Sequence, residues 1–186
     1  MTVDDGVICF LGIGSNIGDA PANCAAAVKG ISDVSGVRVL RCSSLYKTQP
    51  VGFVEQDWFV NGVVEIRTML GPRALMHAMQ GVEGKMGRIR AGKWGPRIID
   101  IDILIYDQLV LDEKDLVIPH AELHKRRFVL VPLNEIAPCA IHPAFGISAH
   151  GLLDRLQDNN TVELNSERIP RSMRRGARAN KNKQFP

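Results

Sequence analysis

The chain has 186 residues and a formal net charge of +3 at pH 7. This length suits a single domain with a sizeable core, and no apolar run approaches the ~20 residues that a membrane span needs. Because the N-terminus, with Asp4 and Asp5, lacks the basic start of a signal peptide, we expect a cytoplasmic protein. Four scattered cysteines without a C-x-x-C pair predict neither a zinc site nor a disulfide framework.

The positive charge belongs to the C-terminal end. From Glu167 onward there are seven Lys or Arg and one acidic residue, which leaves 16 basic and 19 acidic residues in the body. We therefore divide the chain into one domain, residues 1–166, and a basic tail, residues 167–186, that is expected to be disordered. A basic arm can bind nucleic acid, but this tail has no interleaved aromatic residues to stack on bases. We expect truncation after Asn165 to leave catalysis unchanged.

The first elements are a strand and a helix. Val7 to Ile13 predicts a buried strand, after which Gly14-Ser15-Asn16 turns the chain. Asp19 as N-cap and Pro21 in the first turn predict a helix that runs to about Val34. The third glycine of a dinucleotide-binding fingerprint does not follow at the required spacing, so we reject that interpretation.

The remaining elements complete an α+β fold. The order β-α-β-β-α-β predicts a ferredoxin-like core with an added hairpin and C-terminal helices. The predicted elements are strands Val37–Tyr46 and Phe59–Arg67, a helix from Pro72 to about Lys85, a strand containing Asp100, a hairpin turning at Asp107-Gln108, and helices Arg126–Ile136 and Ser148–Gln157.

A glycine-flanked basic loop, Gly84 to Gly92, separates the second helix from the Asp100 strand. Its glycines allow movement and its arginines can bind phosphate, so the loop could close as a lid over a polyphosphate. The alternative is an ordinary solvated loop. The Walker pattern G-x-x-x-x-G-K-[ST] is absent, which excludes a P-loop enzyme.

The Asp100 strand carries two carboxylates. Residues two apart in a strand point to the same face, so Asp100 and Asp102 project together while Ile99, Ile101, Ile103 and Ile105 take the other face. Two like charges on a buried strand need compensation, and a pair of Mg²⁺ ions is the simplest candidate. On this reasoning, Asn at either position should stabilise the metal-free protein. The alternative is an edge strand whose aspartates face water.

The residues around this strand resemble a known family. The run Trp94-Gly95-Pro96-Arg97-Ile98-Ile99-Asp100-Ile101-Asp102-Ile103, with Gly12-Ile13-Gly14-Ser15-Asn16 before it and Val117-Ile118-Pro119-His120 after it, resembles 6-hydroxymethyl-7,8-dihydropterin pyrophosphokinase of folate synthesis. The resemblance covers about residues 7–158. It implies that the hydroxymethyl oxygen of the pterin attacks the β-phosphorus of ATP, a co-substrate, and that AMP leaves. It also implies two Mg²⁺ ions on Asp100 and Asp102.

The same resemblance implies further site residues. The catalytic set is Arg88, Arg90, Arg97, Asp100 and Asp102. The nucleotide-side set is Gln80, Glu83, Arg88, Arg97, Ile103, His120 and Arg126. The pterin-side set is Thr48, Val51, Phe59, Asn61, Trp94, Asp100 and Phe128. Two aromatic faces and an amide suit a flat heterocycle with a polar edge, although each phenylalanine taken separately could equally be core.

The sequence departs from the family pattern at several positions. Gln49 stands where proline is expected, Phe59 where tyrosine is common, and Ala121 where a tyrosine often follows the histidine. Asp115-Leu116-Val117 replaces an Arg-x-Thr of some members, and the basic loop is one residue shorter. These changes affect the adenosine side and the loop, and they leave Asp100 and Asp102 in place.

Two other classes of function fit parts of the pattern. A kinase or nucleotidyltransferase could use the same metal pair, and ferredoxin-like sheets also occur in RNA-binding domains. An RNA-binding sheet would carry aromatic and basic residues on its central strands, whereas this strand carries two aspartates that repel phosphate. We therefore expect a monomeric enzyme acting on small-molecule substrates, with no membrane or nucleic-acid partner.

Overall fold

A computed structural model describes residues 6–50, 56–88, 95–167 and 169. Its first half contains β1 (Val7–Ser15), α1 (Ala20–Ser32), β2 (Val37–Cys42), β3 (Tyr46–Thr48), β4 (Phe59–Thr68) and α2 (Pro72–Lys85). Its second half contains β5 (Asp100–Tyr106), β6 (Leu111–Glu113), β7 (Leu116–Ile118), a short 3₁₀ helix (Leu123–Lys125), α3 (Arg127–Ile136), β8 (Ile141–His142), β9 (Ile147–Ser148), α4 (Ala149–Asp154) and β10 (Val162–Leu164). None of these helices is long and apolar enough to cross a membrane.

The main sheet is antiparallel, in the order β10-β3-β4-β1-β5, and β2 also pairs with β4. Because β4 lies between β1 and the β2/β3 pair, the arrangement is the predicted ferredoxin-like βαββαβ core. The predicted start of α1 is confirmed, since the Asp19 side chain accepts a hydrogen bond from Ala22 N at 3.0 Å. The sheet therefore places β4, β1 and β5 side by side, and among the described strands β5 is at the edge.

The predicted strand Val37–Tyr46 is wrong as a single element. It divides into β2 and β3, which pair with successive parts of the same partner, β4. At the break, Ser44 N donates to a carboxylate oxygen of Glu135 at 2.8 Å and so leaves the ladder. Ser44 Oγ and Tyr46 Oη bond to the same carboxylate, both at 2.9 Å. A side chain from α3 therefore redirects the strand.

The added hairpin is also placed differently. The chain does turn after β5, where Asp107 has φ +48° and Leu109 N donates to Tyr106 O. The paired strands, however, are β6 and β7, which turn between Glu113 and Leu116. The later helices are shorter than predicted: α3 begins at Arg127, and α4 ends at Asp154.

Two apolar layers cover the two faces of the sheet. One contains α1 and α2 against side chains such as Leu11, Ile101 and Ile103. The other contains α3 and α4 against Phe10, Leu104 and Ile105. The prediction that Ile105 shares a face with Ile103 is wrong. A register shift opposite Phe10 and Leu11 inserts Leu104 as an extra residue, and such a bulge reverses the alternation of the strand.

The domain extends beyond its predicted end. Ile169, assigned to the tail from the sequence, is only 1% exposed and belongs to the α1/α2 layer. Truncation after Asn165 would remove this side chain from the core, at a cost of about 2 kcal/mol. The rest of the predicted tail, residues 170–186, lies outside the described residues.

Candidate active site

A cleft of about 520 Å³ opens on the α3 face of the sheet, over β1, β4 and β5. Ten of the predicted site residues line it: Thr48, Phe59, Asn61, Arg88, Arg97, Asp100, Asp102, His120, Arg126 and Phe128. Three predicted residues, Val51, Arg90 and Trp94, lie outside the described residues. The structure thus gathers residues from 48 to 128 into one cavity.

Three predicted nucleotide-side residues are not among those lining the cleft: Gln80, Glu83 and Ile103. Ile103 is 6% exposed and packs in the α1/α2 layer, because it alternates with the cleft-facing aspartates along β5. Glu83 lies behind the cleft wall, where one carboxylate oxygen accepts a hydrogen bond from Ile101 N at 2.7 Å. Any contact of these residues with a nucleotide stays a prediction.

Asp100 is neutralised by two arginines. Arg88 Nη1 lies 2.7 Å from Asp100 Oδ1, and Arg97 Nη1 pairs with Oδ2. Arg88 also pairs with Glu83. Burial lowers the pKa of Arg88, but Asp100 and Glu83 more than offset this, so its pKa is raised. The arginines are therefore charged and gathered at one end of β5.

Asp102 has a different environment. Among the residues that the structure describes, no side chain forms an ion pair with it. Burial, together with the charge of Asp100, raises its pKa to about 7, and the more distant Arg126 and Arg88 offset this only in part. Asp102 thus lacks a close counter-charge.

A hard divalent cation fits this pair of carboxylates. Within the described ranges no cluster of three or more Asp, Glu, His or Cys could hold a metal alone. Mg²⁺, however, is commonly bound by one or two carboxylates while substrate phosphates and water complete its shell. The donor set and the uncompensated charge of Asp102 are therefore suited to Mg²⁺ that arrives with a nucleotide.

We predict that the metal-free protein becomes less stable as the pH rises from about 4 to about 7. In this window the folded protein retains a proton on Asp102 that the unfolded chain has released, because folding raises the pKa of this carboxyl. The melting temperature in EDTA should fall by roughly 5 °C between pH 5 and pH 7.5, as expected for about 2 kcal/mol in a chain of this size.

The control for this prediction is Asp102→Asn. Comparing the two melting curves removes the contributions of groups common to both proteins. The difference between variant and parent should grow as the pH rises. A parent that gains stability relative to the variant over this window would contradict the assignment.

Phe59, Asn61 and Phe128 also line the cleft. Asn61 is 8% exposed and donates from Nδ2 to Thr48 Oγ1 at 2.6 Å. A Cβ atom on Gly14 would lie 2.4 Å from Asn61 Oδ1, so a larger residue at position 14 would displace the amide. The cleft thus has two aromatic side chains and an amide whose orientation is fixed by Thr48.

His120 is held as a neutral donor. Its backbone N donates to Leu104 O at 2.9 Å, and its Nδ1 accepts from Glu122 N at 3.1 Å. Burial and then the charge of Arg126 lower its pKa, so the imidazole is neutral at pH 7. With Nδ1 an acceptor, the proton resides on Nε2. Arg126 in turn lies with Cζ 5.7 Å from the ring centroid of Phe128.

Sequence reasoning missed several residues that organise the cleft. Asn16 Oδ1 accepts from Arg97 N at 2.8 Å, Asn16 N donates to Arg97 O at 3.1 Å, and Asn16 Nδ2 donates to Gln56 Oε1 at 3.1 Å. Asn16 therefore joins the turn that carries Arg97 to Gln56, which lines the cleft. The Gly14-Ser15-Asn16 motif, which predicts a turn and contributes to the family resemblance, is the signal in the sequence, but it assigns no contact to Asn16.

Comparisons with known proteins by sequence point to one family. The model of the 7,8-dihydro-6-hydroxymethylpterin-pyrophosphokinase (HPPK) family matches residues 10–138. A 2-amino-4-hydroxy-6-hydroxymethyldihydropteridine pyrophosphokinase from Methylorubrum extorquens is 46% identical over 129 residues, 69% of this chain and 82% of the relative. The protein of the same name from Haemophilus influenzae is 36% identical over 159 residues, 86% of this chain and 99% of the relative.

Solved structures share the fold. A crystal structure of wild-type Plasmodium falciparum HPPK-DHPS superposes with a TM-score of 0.65 at 17% identity, over 81% of this chain and 45% of that one. A triple mutant of the same protein gives a TM-score of 0.67 at 17% identity, over 81% and 44%. The chain spans less than half the length of these solved proteins, and at this identity the likeness concerns the fold alone.

Proposed function

Because the chain belongs to the 7,8-dihydro-6-hydroxymethylpterin-pyrophosphokinase family, we propose that the cleft around Asp100 and Asp102 is its active site. The chain is a transferase that moves the pyrophosphoryl group of ATP to the hydroxymethyl group of 6-hydroxymethyl-7,8-dihydropterin in folate biosynthesis, and AMP leaves. The observation that supports this site is the presence of both carboxylates, three arginines and the two phenylalanines in the lining of one cavity.

Asp100 and Asp102 would hold two Mg²⁺ ions together with the triphosphate. Bound there, the ions would supply positive charge to neutralise the triphosphate and a template for in-line attack. Both carboxylates lie on the cleft face of β5, where such ions could reach them. Asp102 has no close counter-charge of its own, so its ionised form gains most from a cation.

Arg88 and Arg97 would exchange partners when substrate binds. Both pair with Asp100 in the structure. Once that carboxylate coordinates metal, the guanidinium groups are available for phosphate oxygens, which they can bind through two hydrogen bonds. They would then stabilise charge that develops on the transferred group, with Arg90 adding a further donor.

The pterin would bind between Phe59 and Phe128, which both line the cleft, and we call this proposed ring-binding position the slot. Aromatic faces pack on a planar ring, and Asn61 offers both a donor and an acceptor to its polar edge. Thr48 fixes the orientation of that amide through its hydroxyl. Val51 and Trp94 complete the proposed pterin side.

The nucleotide side would involve His120 and Arg126, which line the cleft, and also Gln80, Glu83 and Ile103, which are not among its lining residues. His120 can donate from Nε2 to a phosphate or ribose oxygen without adding charge. Glu83 acts through Arg88 and the Ile101 amide, and Ile103 could contribute only its backbone, since its side chain is in the core.

Catalysis would depend on positioning and electrostatics. None of the described cleft residues is placed as an obvious base for the pterin hydroxyl, and well-oriented reactants need little further help. We also propose that the enzyme works in the cytoplasm as a monomer, since one chain supplies every proposed residue and the substrates are small molecules. The kinase, nucleotidyltransferase and RNA-binding alternatives are replaced by the family assignment.

The slot assignment is tested by Phe128→Ala. We expect the KM for the pterin to rise about tenfold, because the variant loses one aromatic face. The KM for ATP should change less than about twofold. The measurement is steady-state formation of AMP with each substrate varied in turn.

Phe145→Ala is the matched control. It removes the same ring from a turn outside the cleft, where Phe145 is 49% exposed. Its pterin KM should equal that of the parent. If the two variants have the same pterin KM, the ring does not bind between Phe59 and Phe128.

A further inference from the structure

A remote carboxylate caps the helix that forms one wall of the slot. Helix α3 begins at Arg127, and the preceding Arg126 makes no side-chain cap. Instead, Asp158 Oδ2 accepts a hydrogen bond from Arg127 N at 2.9 Å. Asp158 Oδ1 accepts from Asn160 N, also at 2.9 Å, which braces the loop that carries the carboxylate. Asp158 thus fixes the turn of chain from which Arg126 and Phe128 enter the cleft.

The segment that carries Asp158 also forms hydrogen bonds to Gln49, next to Thr48 on the other wall of the cleft. Thr161 N donates to Gln49 Oε1 at 3.1 Å, and Gln49 N donates to Thr161 O at 3.4 Å. The ladder continues in β10, where Val162 pairs with Thr48. Gln49 and Thr48 both line the cleft. Four residues, 158–161, therefore connect the Phe128 wall to the Thr48 wall.

We propose that residues 158–161 form a slot clamp that sets the distance between the two walls, and that Asp158 is a positioning residue for dihydropterin binding. This proposal rests on the ring slot proposed above. Asp158 does not line the cleft, so its effect is indirect. Loss of the cap would leave the first turn of α3 with an unsatisfied donor and allow Phe128 to move away from the slot.

The clamp should act mainly on one substrate. Asp100, Asp102, Arg88 and Arg97 lie on β5 and the segments that precede it, and the hydrogen bonds of the clamp described above do not involve them. Arg126 is the one proposed nucleotide-side residue beside the cap, so a change in the clamp should weaken pterin binding strongly and nucleotide binding only slightly. A purely structural role would instead lower stability and weaken both ligands together.

The test is Asp158→Ala, with equilibrium binding as the readout. We expect the Kd of the pterin, measured by its fluorescence with Mg²⁺ and α,β-methylene-ATP present, to rise about tenfold. The Kd of α,β-methylene-ATP should stay within about twofold of the parent. Turnover at saturating pterin should also stay within about threefold.

Asp154→Ala is the charge-matched control, since Asp154 is exposed at the end of α4. It should bind both ligands as the parent does. Asp158→Asn keeps one acceptor oxygen, so its pterin Kd should rise less, by about threefold. If Asp158→Ala does not fold, Asp158→Asn decides the question, and an unchanged pterin Kd in that variant overturns the clamp.

Other outcomes separate the clamp from the slot. Weaker pterin binding in Phe128→Ala but not in Asp158→Ala would overturn the clamp and retain the slot. Unchanged binding in both would overturn the slot, and the clamp with it. Parallel losses for pterin and nucleotide in Asp158→Ala would show a structural role only.

Discussion

Asp102→Asn should lower turnover by about a thousandfold, the scale on which removing a single transition-state contact acts. The amide keeps the shape of the side chain but lacks the negative charge that a divalent cation requires. Asp102 is not among the proposed pterin-side residues, so pterin affinity should change little. Single-turnover formation of AMP, with pterin binding measured separately, would distinguish these effects. Asp112→Asn, on exposed β6, is the control and should behave as the parent does.

The same substitution should stabilise the metal-free protein at pH 7.5. Asp102 is partly buried near Asp100 without a close counter-charge. An amide removes both the cost of burying a charge and the repulsion between the two carboxylates. The sequence led us to expect the same gain from Asp100→Asn. The structure changes that expectation, because Asp100 pairs with Arg88 and Arg97, and an amide would leave both arginines without that partner.

Melting curves with and without Mg²⁺ test this difference. Asp102→Asn should melt above the parent in EDTA, and Asp100→Asn should melt at or below it. Added Mg²⁺ and nucleotide should stabilise the parent more than either variant, since ligands stabilise the state that binds them. If Asp102→Asn melts well below the parent without metal, this aspartate has a structural role and the metal assignment is wrong.

Local patterns in the sequence accounted for much of the fold. The start of α1 follows from Asp19 and Pro21, which act within one turn, and the alternation of Asp100, Asp102 and the isoleucines follows from the period of a strand. These features depend on residues near one another in the chain. For that reason, composition and spacing were enough to place β1, β4, β5 and both core helices.

Features that depend on distant residues could not be predicted. The break between β2 and β3 is made by Glu135, 91 residues after Ser44. Thr161 bonds to Gln49 across 112 residues, and Asp158 caps a helix that begins 31 residues earlier. No local pattern marks these pairs. The bulge that turns Ile105 to the other face could not be predicted from local sequence either, because the pairing register of two strands depends on the residues of both strands.

The candidate site shows the same difference between residues that are close in sequence and residues that are far apart. Asp100, Asp102 and Arg97 were found together because they are close in sequence. Phe59, Asn61 and Phe128 were found only through the resemblance to a family. Asn16 was seen but not given a role, since its contact with Arg97 spans 81 residues. The ion pair between Arg88 and Asp100 likewise could be recognised only in the folded chain.

An ATP analogue with a methylene group in place of the oxygen between the α- and β-phosphorus should bind but not react. In the proposed reaction the hydroxymethyl oxygen of the pterin attacks the β-phosphorus, the hydroxyl proton passes to solvent, and the bond from the β-phosphorus to the bridging oxygen breaks. AMP leaves with that oxygen. A carbon at this position cannot leave, so the analogue should be a competitive inhibitor with respect to ATP.

The β,γ-methylene analogue is the matched control. Its changed bond lies inside the transferred group and does not break, so it should still yield AMP, at a reduced rate if the arginines bind the altered terminal phosphates less well.

A kinase that attacks the γ-phosphorus would show the opposite preference and release ADP. A nucleotidyltransferase that attacks the α-phosphorus would release pyrophosphate. In the proposed arrangement, cations held by the two carboxylates of β5 would supply positive charge to the triphosphate. Arg88 and Arg97, which line the same cleft, would hold the phosphates that travel with the pterin. Turnover of the α,β-methylene analogue, or pterin-dependent release of ADP from ATP, would exclude this mechanism.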